Sequence, residues 1–192
     1  VSDEPLQKIK TLADELKLPI HIHLHETLHE VEQAQSEYGS RPLKRLQDLG
    51  LVNPSLIAVH MTQLTDEEIT LLAESGAHIV HCPESNLRLA SGFCQTTKCL
   101  NAGINVALGT DGAASNNDLD MFGEMRTAAL LGKAVANDAS AIPAMTALRM
   151  ATINGAKALG LDNCCGSLSI GKAADIIAID LNHLETQPLY CP

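Results

Sequence analysis

Four short apolar runs, each closing on a residue that can bind a metal or move a proton, constrain this chain more than anything else in it. They read Pro19-Ile-His-Ile-His-Leu-His-Glu-Thr27, Ile57-Ala-Val-His-Met-Thr62, Ala77-His-Ile-Val-His-Cys-Pro83 and Asn105-Val-Ala-Leu-Gly-Thr-Asp111. Each precedes a loop and a stretch of helical periodicity, and strand alternating with helix is the pattern of an α/β fold with a parallel sheet. Parallel strands that gather side chains at their C-terminal ends are how a (β/α) barrel assembles a site from distant parts of its sequence.

The intervening segments support this alternation. An amphipathic helix over 2–18 carries Leu6, Ile9, Leu12, Ala13 and Leu16 on one stripe, and Pro19 ends it. Helices are expected over 28–37 and up to Gly50. Thr65-Asp-Glu-Glu68 is a capping box opening a helix that Gly76 stops. A long loop is expected over 84–92, then a short helix ending near Gly103. Helices follow over 121–135 and 142–159, and a strand over 171–180.

Length limits what the pattern can complete. An eight-unit barrel takes roughly 250 residues, so 192 residues hold four units, and the chain reads as a piece of a longer protein. A net charge of −10, no Trp, two Tyr and two Phe leave neither a basic footprint nor a stacking platform for nucleic acid. No apolar run approaches the roughly 20 residues of a membrane span, and no signal peptide is visible. Six cysteines without a regular framework fit reduced thiols in a cytoplasmic protein.

His21, His23 and His25 alternate, so an extended strand points all three to one face, and at least one is a candidate zinc ligand. Residues 25–29 also spell His-Glu-x-x-His, but that zinc signature works only on a helix, and here its first His closes a strand. His60 is either a second ligand or a group that hydrogen-bonds an activated water. His81 ends the third run. Asp111 ends a buried apolar run, where an acid is costly unless a metal or a His partners it. Gly109 and Gly112 allow close backbone approach beside it. The loop after Asp111 lacks the acid spacing of an EF-hand. Asn86 and Arg88 are either substrate contacts or parts of a solvated loop. His29 and His183 carry no motif.

Taken together, 21–27 (His-Ile-His-Leu-His-Glu-Thr), 59–63 (Val-His-Met-Thr-Gln), 80–92 (Val-His-Cys-Pro-Glu-Ser-Asn-Leu-Arg-Leu-Ala-Ser-Gly) and 109–117 (Gly-Thr-Asp-Gly-Ala-Ala-Ser-Asn-Asn) resemble the amidohydrolase superfamily. Within it the chain is similar to the methylthioadenosine/S-adenosylhomocysteine deaminases, and the resemblance covers essentially its whole length. What this implies for the fold is the second half, strands 5–8, of a metal-dependent hydrolase (β/α)8 TIM-like barrel. Residues 1–170 would form the partial barrel, and 171–192 the start of a small C-terminal β-sandwich segment.

For the site, the resemblance implies His23 and Asp111 as metal ligands and Glu26 as the acid at the purine ring. His60 would assist the water, and His81 would lie near the substrate. The catalytic set is Glu26, His60 and Asp111, and the substrate-binding set Glu26, His81 and Asp111. The cofactor would be zinc, or another divalent metal, one per subunit. The reaction would be hydrolytic deamination of a small purine nucleoside by a homo-oligomer, with no nucleic-acid or membrane partner. The family's first-strand His-x-His pair is absent from this sequence, so the isolated chain is expected to be inactive. The alternatives are a guanine deaminase, a triazine chlorohydrolase, or a non-catalytic half-barrel that needs its missing half.

Overall fold

The computed structural model describes residues 1–183 and 186. Four parallel strands form its sheet in the order β1 (Ile20–Leu24), β2 (Leu56–His60), β3 (His78–His81) and β4 (Asn105–Leu108). The register sets Leu24 opposite His60 and His81 opposite Leu108. All four strands therefore finish at one edge of the sheet, and the loops that follow them share that edge. Parallel neighbours need a crossover, and helices supply each one: α2 (Leu28–Tyr38) and α3 (Pro42–Asp48), then α4 (Asp66–Ser75), then α5 (Pro83–Arg88) and α6 (Thr96–Asn101).

Local chemistry explains most boundaries. Thr27 caps α2 by accepting from the Glu30 N–H, and the Thr65/Glu68 capping box opens α4 as its spacing predicts. Gly39 and Gly76 end these two helices in the left-handed conformation. Every residue of β2 is buried, as a central parallel strand requires. The core packs Ala58 and Ile79 of the inner strands and Val106 of β4 against Leu43, Leu46 and Leu72 of the crossover helices. After β4 come α7 (Ala113–Asn116), α8 (Met121–Ala136), α9 (Ala144–Met150) and α10 (Ile153–Ala158), the last two packed on β4. The N-terminal helix is α1 (Asp3–Leu16). Among the described residues, no helix is long and apolar enough to cross a membrane.

Several expectations are corrected. Residues 83–88 form α5 rather than a loop, because Pro83 sits in the first turn of a helix, where its missing N–H costs nothing. The helix expected over 142–159 is two, broken where Thr152 leaves helical backbone (φ −128°, ψ −96°). The stripe of α1 buries only Leu6, while Ile9, Leu12 and Leu16 face outward. No strand forms over 171–180: a strand needs a neighbour for its N–H and C=O groups, and Ile176, Ile177 and Ile179 lie exposed instead. The rest of the proposed 171–192 segment, residues 184, 185 and 187–192, lies outside the described residues, Cys191 among them. The other five cysteines are free thiols.

Candidate functional site

The first two strands bring the site together. His23 Nδ1 lies 3.1 Å from His60 Nε2, with the rings edge-on at 4.8 Å between centroids. Glu26 Oε2 lies 3.7 Å from the same His60 nitrogen. The donor atoms of His23, Glu26 and His60 all fall within 4.8 Å of one another. Among the described residues this is the group of His, Cys, Asp and Glu that converges as a metal site would.

Backbone conformation at the strand ends explains why these residues meet and others do not. His25, His60, Met61 and Asp111 take positive φ (51°, 75°, 51° and 61°), a region costing a non-glycine residue about 1–3 kcal/mol. The turn at His25 stops β1 and carries its ring away from the face of His23. The expectation that His21, His23 and His25 share one face therefore fails at its third member, because alternation holds only while the backbone stays extended. His25 is instead wholly buried: its Nε2 accepts from the Leu43 N–H at 3.0 Å, and its Nδ1 lies 3.3 Å from the Gln63 carbonyl. Burial holds its pKa below the usual imidazole value, so the ring is neutral and anchors α3 to the strand end. Because α2 begins only at Leu28, His25 and His29 never share a helical face.

Each remaining site group has a dedicated support. Glu26 Oε1 accepts from the Ser91 hydroxyl at 3.1 Å, its N–H donates to Glu30, and its carbonyl accepts from the Thr62 hydroxyl. Gly92, at φ 133°, lets the chain after Ser91 pass against Thr62; a Cβ there would stand 2.9 Å from Thr62 Oγ1. His60 Nδ1 meets the Asn86 amide nitrogen at 2.9 Å, and burial lowers the His60 pKa. Asp111 Oδ2 accepts from Ser85 and Ser115, each at 2.7 Å. Burial pushes the Asp111 carboxyl up, but bonds from Ser85, Ser115 and the Gly112 backbone outweigh it and hold it below the ordinary value.

Asp111 is not among the three residues whose donor atoms converge, although it and His60 are close enough to shift each other's titration. His81 is also outside the group. It is buried with Nδ1 unpartnered, and burial together with nearby His60 pushes its pKa down to about 3. Arg88 faces outward toward Glu84 at 4.0 Å, whereas Asn86 points inward. Ser85, Ser91 and Ser115 escape sequence reasoning because small hydroxyl residues are common in any loop.

Glu124 escapes it too. This acid is fully buried in α8, accepting from the Asn116 amide and the Glu84 N–H, and burial pushes its pKa up to about 7. An acid inside the apolar run Met121-Phe-Gly-Glu-Met125 was the available signal.

Two imidazole nitrogens and a carboxylate oxygen form a donor set suited to zinc or a similar divalent ion. A parallel sheet with such a set at its C-terminal edge places the chain in the class of α/β proteins with a candidate divalent-metal site at the strand ends. The model of the Amidohydrolase family matches residues 1–190, and the chain belongs to that family.

It is 59% identical, over its whole length and 43% of the other protein, to a Teredinibacter turnerae protein named 5-methylthioadenosine/S-adenosylhomocysteine deaminase. The structure of an adenosine deaminase from Xanthomonas campestris with bound zinc superposes with a TM-score of 0.98 at 58% identity, covering all of this chain and 44% of that one. An atrazine chlorohydrolase from Arthrobacter aurescens, complexed with zinc and atraton, gives 0.93 at 27% identity over all of this chain and 42% of that one.

The chain thus spans less than half the length of the relatives it matches. Neither that share nor the missing strand over 171–180 supports its placement as strands 5–8 followed by a β-sandwich. That placement is corrected to an α/β unit with an open four-stranded parallel sheet.

Proposed function

We propose that a protein carrying this chain is a metal-dependent aminohydrolase that deaminates the adenine ring of 5′-methylthioadenosine, S-adenosylhomocysteine or a related purine nucleoside. The observation that carries the reading is the convergence of His23, Glu26 and His60 at the ends of adjacent parallel strands. The identity of 59% to a protein named for this deamination, against 27% to the chlorohydrolase, favours purine over triazine.

In this reading His23 of that group and Asp111 outside it hold one divalent ion per subunit, zinc being the first candidate, while Glu26 and His60 face the water and the purine ring instead of binding the ion. Such an ion, when bound, makes water nucleophilic near neutral pH. Asp111 takes a proton from the attacking water, its carboxylate kept ionised by Ser85 and Ser115. His60 is held neutral by burial and hydrogen-bonds that water. Glu26, aimed by Ser91, delivers a proton to the ring nitrogen beside the attacked carbon, so charge does not accumulate there. The proton held on Asp111 then passes to the amino group, the C6–N bond breaks to release ammonia, and the C6 hydroxyl returns a proton to Glu26, leaving the inosine analogue. His81 borders the ring. The proposal extends to a cytoplasmic homo-oligomer whose partner is a small nucleoside.

The test is ammonia release by the full-length protein from methylthioadenosine, S-adenosylhomocysteine, guanine and a chlorotriazine. Turnover of the two adenine compounds is expected. Turnover confined to guanine or the triazine overturns the reading.

A further inference from the structure

We infer that Glu124 is a positioning residue for Asp111: from α8 it places the two serines that hold the Asp111 carboxylate. Those serines come from separate segments. Ser85 lies in α5 and Ser115 in α7, yet both hydroxyls donate to the same atom, Asp111 Oδ2, each at 2.7 Å. The direction in which this carboxylate faces therefore depends on where two short helices stand relative to each other. Neither helix has a side-chain cap of its own to fix its first turn.

Glu124 links the two with one oxygen to each. Its Oε2 accepts at 3.3 Å from the N–H of Glu84, the residue before Ser85. Its Oε1 accepts from the side-chain amide of Asn116, the residue after Ser115. The Glu84 N–H belongs to the first turn of α5, where a helix offers it no acceptor. The Asn116 amide is oriented independently of Glu124, because its Oδ1 accepts from the Leu119 N–H at 3.0 Å. Ser85, Asn116 and Glu124 are wholly buried, so water does not compete for these bonds. A second tie holds α5 to α8: Thr127 donates to Glu84 Oε1 at 2.9 Å. Gly123 permits that approach, since a Cβ there would stand 3.1 Å from the same oxygen. An aliphatic side chain at 124 could accept neither bond, and a Gln only one, its nitrogen being a donor. A carboxylate thus meets both donors, and its effect arrives at Asp111 through Ser85 and Ser115.

This inference rests on the reading of Asp111 as a metal ligand, and the test separates the two without needing turnover. Zinc affinity of the full-length protein is measured by competition with a chromogenic chelator. The proteins compared are wild type, D111N, E124Q, S85A/S115A and the combined E124Q/S85A/S115A. E124Q keeps the volume and cuts one tie. It should weaken zinc binding roughly 10- to 100-fold, the scale on which groups that orient a metal-binding side chain act. With both serines already removed, E124Q should cost nothing further, because residues acting through one chain of contacts are not additive. A general loss of stability would instead cost the same factor in both backgrounds. Unchanged affinity in E124Q, or an undiminished factor in the S85A/S115A background, overturns the inference when D111N itself weakens zinc. Wild-type affinity in D111N overturns the ligand assignment, and this inference with it. Should E124Q fail to fold, N116A, which cuts the tie to α7 and leaves the acid, is put through the same cycle against S115A and judged by the same two criteria.

Discussion

The Ser91 hydroxyl donates to Glu26 Oε1 at 3.1 Å, joining the loop behind α5 to the end of β1 across 65 residues of sequence. That bond leaves Oε2 as the oxygen that lies over His60. In the full-length protein, E26Q keeps the shape but cannot carry a proton. Metal content should be retained while ammonia release from methylthioadenosine falls at least ~100-fold, the usual scale of a lost general acid. Undiminished release would remove Glu26 from the chemistry. S91A should lower kcat by a smaller factor, with KM nearly unchanged, because it loosens the carboxylate without deleting it.

His25 is an anchor rather than a ligand, and its loss should read out as stability. H25A opens a cavity and strands the Leu43 N–H, at a combined cost of about 3 kcal/mol. Urea denaturation should show that loss, and metal analysis should show the ion retained. A variant with unchanged stability but no metal would reverse the assignment.

Glu124 makes stability depend on pH in a definite direction. Burial, with nearby Glu84 and Asp118, raises its pKa from 4.5 to about 7. Between those values the folded protein keeps a proton that the unfolded chain releases. The contribution is therefore fully present below pH 4.5 and is lost as pH rises through about 7, on the order of 3 kcal/mol in all. The neutral E124Q should show a flatter profile of unfolding free energy from pH 4.5 to 8. Parallel profiles for the two proteins would rule out Glu124 as the source.

The isolated 192-residue chain is expected to release no ammonia from methylthioadenosine, even with zinc added. Among the described residues only His23, Glu26 and His60 converge, and His23 stands exposed on the edge strand β1. Adding the remainder of a full-length relative in trans provides the comparison, and measurable turnover by the chain alone would contradict the expectation.

What could be read from sequence followed from periodicity. Apolar runs bounded by Pro, Gly and a capping box located all four strands and the crossover helices of the first two connections. The strand ends named His23, Glu26 and His60 before their geometry was known. His25 was misplaced because residue type does not reveal a left-handed backbone, and one such turn cancels the alternation rule. Ser85 and Ser91 were illegible, and Asn86 could be read only as a substrate contact or part of a solvated loop, because their work depends on α5, which begins at a proline that also reads as a simple strand stop. The stripe of α1 was read correctly as a pattern, yet a pattern does not say whether anything covers it.

The stretch from Ser85 to Ser91 behaves as a ruler. Its marks are Ser85 on Asp111, Asn86 on His60 and Ser91 on Glu26, while Leu87, Arg88, Leu89 and Ala90 between them face outward. Changing an outward residue leaves every mark in place. Adding or removing a single residue slides Ser91 against the other two and breaks the alignment at once. Drift in this segment is therefore free in composition at Leu87, Arg88 and Leu89, restricted at Ala90 by its left-handed backbone (φ 53°), and closed in length.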